Sequence, residues 1–157
     1  MRLIAITAAL AVAASGAVHA QSKSAADGIA EYRKMLEDGN PAELFEAKGE
    51  AIWKRKRGPK NASLEQCDLG RGPGVVKGAF VTLPRWFPDT QRVQDLESRL
   101  LTCIETLQGI PAAEIAKTPF GRGEQQTMEA LAAWISAESR GMKFDLPQGH
   151  PEEKAMY

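Results

Sequence analysis

Cys67, Cys103 and His150 are the side chains of this sequence whose types open the widest chemistry. Thiols and an imidazole can ligate zinc, hold a covalent haem, or form a nucleophile and its base. Their spacing tells against each route. A covalent haem needs a CxxC pair followed at once by histidine. Cys67 is followed by Asp68-Leu69-Gly70, and Cys103 by Ile104-Glu105-Thr106. A structural zinc site takes four ligands, more than these three residues supply. A Ser-His-Asp arrangement would have only His150 to use, and neither Ser63 nor Ser98 has a histidine near it in the chain. Met142 and Met156 are of a type that can ligate haem iron, yet read as packing and terminal residues. Gly70-Arg71-Gly72-Pro73-Gly74 has the look of a phosphate loop, but it lacks the Lys-Ser/Thr ending and Pro73 carries no N–H. Glu97 and Glu105, with Arg92 and Arg99, have the spacing of ordinary surface ion pairs on a helix. His150, between Gly149 and Pro151, reads as a surface residue. The residues alone therefore point to no catalytic, cofactor-binding or metal-binding set.

The chain opens with the layout of an export signal: Arg2, an apolar run to Ala17, then Val18-His19-Ala20 with small residues where a signal peptidase reads. Cleavage is expected after Ala20. The run is short for a bilayer span, so no membrane-spanning segment is expected. Both cysteines survive the cut, and in an oxidising compartment a Cys67–Cys103 disulfide is the expectation, two buried thiols being the alternative. The full chain of 157 residues carries 20 Lys+Arg and 20 Asp+Glu. Arg2 is the one charged side chain ahead of the cut, so acids then exceed bases by one. That balance argues against nucleic-acid binding.

The elements that must position these residues read as helices. A short helix is expected over 28–38, closed by Gly39-Asn40-Pro41. Asn40 then caps a second helix running from Pro41 to about Arg57, with Gly49 allowing close approach. Its basic end, Lys54-Arg55-Lys56-Arg57, before Gly58-Pro59, suits a solvated helix C-terminus. Residues 60–88 have little periodicity and read as a long ordered loop anchored by Cys67. Asp89 or Thr90 is expected to cap the clearest helix, 91–107, with Val93, Leu96, Leu100, Cys103, Ile104 and Leu107 on its apolar face. A last full helix is expected over 123–139, with Met128, Leu131, Ala132, Ile135 and Ser139 on one face. Residues 142–151 read as extended, and Glu152 as a helix start. Trp53, Phe80, Trp86, Phe87 and Trp134 read first as core, with a partner surface as the alternative.

Beyond these local signals, a long string resembles the N-terminal domain of the SoxA family. SoxA is the c-type cytochrome subunit of the SoxAX complex of bacterial thiosulfate oxidation. The string includes Gly49-Glu50, Trp53, the run from Lys56 through Cys67 to Gly70, and Gly72-Pro73-Gly74-Val75-Val76-Lys77-Gly78-Ala79. Leu83-Pro84-Arg85, Asp95-Leu96-Glu97-Ser98-Arg99-Leu100, Cys103, Leu107-Gln108-Gly109 and Met156-Tyr157 continue it. The resemblance implies an all-α, cytochrome c-like domain with long ordered loops. It implies the haem-free kind of first domain, in which a disulfide, here Cys67–Cys103, stands where other members carry haem. Haem c in the complete family protein sits in a second domain, with a CxxCH site and a cysteine ligand modified to a persulfide. No residue here matches those. The implied organisation is a signal peptide over 1–20, an extension over 21–40, the degenerate cytochrome c-like domain over 41–150, and the start of a truncated second domain over 151–157. The implied activity is that of a periplasmic L-cysteine S-thiosulfotransferase: thiosulfate is joined oxidatively to a cysteine of the SoxYZ carrier, electrons pass to haem, and SoxX is the partner subunit. This chain alone is expected to be inactive. The other expectation is a haem-free periplasmic interaction or scaffold module.

Overall fold

The computed structural model describes residues 24–37 and 39–156. The expected signal peptide lies outside the described residues. Contacts divide the chain into two units, Met1–Asp38 and Gly39–Tyr157. In the first, helix α1 spans Ala25–Glu37. It begins earlier than the apolar pattern suggests because Ser24 and Asp27 cap it reciprocally. The Ser24 Oγ accepts from the Asp27 N–H at 3.1 Å, and the Asp27 carboxylate accepts from the Ser24 N–H at 3.2 Å. No residue of α1 is buried.

The second unit is built on two helices, α2 (Ala42–Lys54) and, far along the chain, α5 (Gly123–Ala137). Asn40 Oδ1 accepts from the Ala42 N–H at 3.0 Å, the capping contact its position predicts. The two helices meet at Gly49, where an added Cβ would lie 2.1 Å from the Ala130 carbonyl oxygen and 2.7 Å from the Trp134 Cβ. No side chain fits there. Around that contact Trp53 packs on Trp134 with ring centroids 5.7 Å apart. Lys48 Nζ donates to Gln126 Oε1 at 2.7 Å, and Arg140 pairs with Glu46 at 2.6 Å.

Helix α2 stops at Lys54 rather than Arg57, because Arg55 turns extended (ψ 128°). The basic run is therefore split. Lys54 pairs with Glu50 within the helix, while Arg57 swings to Glu124 at the start of α5, at 2.5 Å. Arg57 and Ala62 then bridge across a tight turn with Gly58 and Asn61 at positive φ.

Helix α3 spans Leu96–Cys103 and continues through Ile104–Gln108 as π-helical turns ended by Gly109 (φ +73°). Its start corrects the expectation of a helix from Gln91. Residues Arg85–Phe87 (β1) and Arg92–Gln94 (β2) pair antiparallel, with Trp86 opposite Val93. Aromatic and β-branched residues favour such a ribbon. Gln91 takes φ +53° in the connecting turn, which no helix interior accepts. The cap is Asp95, whose Oδ1 accepts from the Ser98 N–H at 2.8 Å. This ribbon is the one sheet among the described residues, which are otherwise helices, loops and two isolated bridges. Short helices α4 (Ala112–Ala116) and α6 (Pro151–Lys154) complete the second unit.

One core joins α2, α3, α5 and the loop between. Leu64, Leu69, Leu100, Ile104, Leu131 and Ile135 are wholly buried in it. Trp53 and Phe87 are buried, and Phe80, Trp86 and Trp134 half-buried, so the aromatics serve packing first. Gly49→Ala should lower the stability of the second unit by about 1–3 kcal/mol, the usual cost of overpacking. Denaturant unfolding followed by circular dichroism measures it, with Gly39→Ala, where an added Cβ meets nothing within 4 Å, as the near-neutral comparison.

Candidate functional site

The 60–84 loop reaches the core at Cys67, which is bonded to Cys103 on the buried face of α3, with Cα atoms 5.5 Å apart and a separation of 36 residues. Both residues are almost wholly buried. Immediately after Cys67, the loop folds around Asp68. Its Oδ1 accepts from the N–H groups of Gly70 and Gly72 at 2.7 and 2.9 Å. Gly70 and Gly72 both take positive φ to allow this. The glycine loop is thus a turn wrapped on its own carboxylate. The two N–H groups that would cradle a phosphate are already used.

One helical turn before Cys103 stands Arg99, on the same buried face. Its guanidinium lies 4.0 Å over the Phe87 ring. Its Nε donates to the Asp68 carbonyl at 2.7 Å, and one terminal nitrogen donates to both Asp89 carboxylate oxygens at 2.8 and 2.9 Å. One side chain therefore ties the glycine loop, the hairpin and α3 together. The sequence reading placed Arg99 among surface ion pairs. The structure corrects that: the residue is 5 % exposed. The available signal was its place four residues before Cys103, between Leu96 and Leu100 on the apolar stripe. Asp89 serves this guanidinium in place of capping a helix.

Above the disulfide lies a surface depression of about 420 Å³, lined by both cysteines, Asp68, Phe87, Asp89 and Arg99. Its sulfurs are bonded to each other, and the Arg99 guanidinium holds the Asp68 carbonyl and the Asp89 carboxylate, so the depression presents no free thiol.

His150 is not among the residues lining it. The imidazole stacks on Trp86 with centroids 3.8 Å apart and planes 7° from parallel, and its Nδ1 accepts from the Glu152 N–H at 3.3 Å. That caps α6 and gives this partly exposed histidine a packing and capping role that its local sequence does not signal. Glu153, 5 % exposed, returns the contact. It accepts from the His150 N–H at 2.8 Å and from the Trp86 N–H at 2.7 Å. These two backbone donors, His150 first and then Trp86, hold the Glu153 carboxyl below its ordinary 4.5; burial opposes them and Arg85 assists.

The donor set does not fit a covalently held haem. Both sulfurs are spent on each other, and the one histidine among the described residues is stacked and capping, which leaves the exposed Met142 and Met156 with no cysteine pair or histidine to complete a haem site. Among the described residues no group of three or more His, Cys, Asp or Glu is placed to hold a metal ion, and no helix is long and apolar enough to cross a membrane.

Comparison with known proteins agrees with this frame. The cytochrome c domain of the SoxA/TsdA family matches residues 48–144. The SoxA subunit of an L-cysteine S-thiosulfotransferase from Hydrogenophilus thermoluteolus is 54% identical over 129 residues, which is 82% of this chain and 47% of that protein. The SoxA subunit of the corresponding enzyme from Hydrogenobacter thermophilus is 25% identical over 141 residues, 88% of this chain and 52% of that protein. The chain thus spans about half the length of the relatives it matches.

Two outcomes follow from the geometry. Arg99→Ala should cost about 2–3 kcal/mol in denaturant unfolding, since it strips a buried carbonyl and a ring of their charged partner. Asp89→Ala should cost under about 1 kcal/mol, because that carboxylate is half in solvent. Glu153 gives a pH signature. Its folded value lies below its unfolded one, so its stabilisation is whole above about pH 4.5 and is lost as pH falls through the folded value. The Trp86 backbone amide, followed by NMR, should shift in that acid range, and Glu153→Gln should abolish the step.

Proposed function

This chain belongs to the SoxA/TsdA cytochrome c-domain family, and from that membership we propose that it acts as a haem-free scaffold and interaction domain of a SoxA-type subunit. The observation that carries the reading is the mutual bonding of Cys67 and Cys103 inside the core, beside an Arg99 that holds the Asp68 carbonyl and the Asp89 carboxylate. A domain that held a cofactor through these cysteines would keep them open. Here they brace a loop instead. Residues 41–150 form the cytochrome c-like scaffold in this reading, and 151–157 lead toward a second cytochrome c domain.

The fuller assignment follows from the relatives' activity. In it, the chain is the N-terminal part of a subunit that works in the periplasm beside a SoxX cytochrome. That complex couples thiosulfate oxidatively to a cysteine of a SoxYZ carrier. Haem c, held outside these residues, supplies the electron acceptor. The residues of this chain contribute a rigid surface and no reacting group. Export after Ala20 places the disulfide in a compartment that keeps it oxidised.

Expression of the whole chain with its leader in a bacterial host, together with an affinity-tagged SoxX, tests the proposal. The expected result is a processed protein in the periplasmic fraction that co-purifies with SoxX, shows no haem by peroxidase staining, and transfers no thiosulfate to SoxYZ by itself. Covalent haem on the chain, or thiosulfate transfer by the chain alone, would overturn it. Failure to retain SoxX would remove the interaction role.

A further inference from the structure

A second surface lies along the outer side of the glycine loop, where residues 70–85 run past 142–147. Two depressions, of about 480 and 370 Å³, share Arg71, Thr82 and Asp145 and so form one trench. Arg71, Lys77 and Lys143 line it, all three exposed and none paired with a carboxylate among the described residues. Arg85 adds a fourth cation, partly engaged with the Gly70 carbonyl. Asp145 is the single acid lining the trench.

The charges alternate with apolar surface. Val75 and Met142 each stand 41 % exposed within the trench. Gly78 lets Met142 and Arg71 lie close on the trench floor: an added Cβ would lie 3.2 Å from the Met142 Sδ and 3.8 Å from the Arg71 Cζ. A free-standing Val and Met between unpaired cations is a combination that water serves poorly.

The backbone supplies a third observation. From Lys143 to Gly149, the Asp145 N–H on the Val81 carbonyl, at 2.9 Å, is the one backbone hydrogen bond among the described residues. The other N–H and C=O groups of this stretch, Pro147 lacking an N–H, make no backbone hydrogen bond among the described residues. Open main-chain groups beside side-chain pockets are the elements of extended-peptide recognition.

We propose that this trench binds an extended acidic segment of a partner protein, its carboxylates on Arg71, Lys77 and Lys143 and an apolar side chain between Val75 and Met142. Cations spread along a groove fit a row of carboxylates better than one compact anion, which needs donors converging on a point. A nucleic acid would gain nothing from the Val75 and Met142 contacts, and the chain as a whole has no basic excess. The proposal is independent of the SoxX partnership above.

Fluorescence anisotropy on the whole mature chain tests it. The probe is a labelled peptide of alternating Asp or Glu with Leu or Val. Companion probes carry Lys for the acids or Ser for the apolar residues, and a labelled single-stranded oligonucleotide is a further one. The acidic–apolar peptide should bind, weaken with salt, and lose about tenfold in affinity on Lys77→Glu with Lys143→Glu. Met142→Ser should weaken the same peptide and leave the Ser-substituted one unchanged. Lys56→Glu, on an exposed lysine that does not line the trench, should change nothing. Thermal melts confirm that each variant is folded. The proposal is overturned by any of four results: no binding by the wild-type chain, equal binding of the Ser-substituted peptide, tighter binding of the oligonucleotide, or displacement of the peptide by millimolar inorganic sulfate as readily as by unlabelled peptide.

Discussion

A sulfur–sulfur bond and a guanidinium, four residues apart on one face of α3, hold the longest irregular stretch of this chain to its core. The loop from 60 to 84 carries Leu64, Leu69, Val76, Ala79 and Leu83 into the interior. Yet it has little secondary structure to keep them there. A loop of that length costs conformational entropy that its own turns do not recover. Cys67 fixes its middle covalently, and Arg99 fixes the next residue's carbonyl and the hairpin beyond. With those points held, the turns around Asp68 and the ribbon of β1 and β2 have only short spans to close. The contact of α2 with α5 through Gly49 then shuts the core from the other side.

That arrangement explains how a domain of cytochrome c character can stand without a cofactor. A haem fills space and crosslinks loops through its ligands. Here side chains fill the space, with Leu64, Leu100, Ile104, Leu131 and Ile135 wholly enclosed, and the disulfide makes the crosslink. The cysteines are thereby withdrawn from chemistry. In the proposed reading, functional weight falls on the surface, where the cationic trench at Arg71, Lys77 and Lys143 lies.

Much of this was legible in the residues. Helical periodicity marked α2, α5 and the buried stripe of α3, and Gly49 marked a close approach. The cysteines stood out because so little else could do chemistry. What escaped was what depends on distant partners. Val93 falls in step with the apolar face of α3 and suits a ribbon equally well, and its pairing with Trp86 decides between them. Arg99 reads as a surface charge until Asp68 and Asp89 converge on it. His150 reads as solvent-exposed until Trp86 is found beneath it. Each was decided by a contact between segments whose mutual approach no local pattern encodes.

The most direct measurement is native-state hydrogen exchange with denaturant unfolding, comparing oxidised protein with the Cys67→Ser, Cys103→Ser double variant. The account predicts a loss of about 3–4 kcal/mol in unfolding free energy. It also predicts that protection falls first at the Cys67 and Gly74 amides, whose hydrogen bonds close the loop onto Leu64 and Cys67. Unchanged stability, with those amides as protected as before, would contradict it.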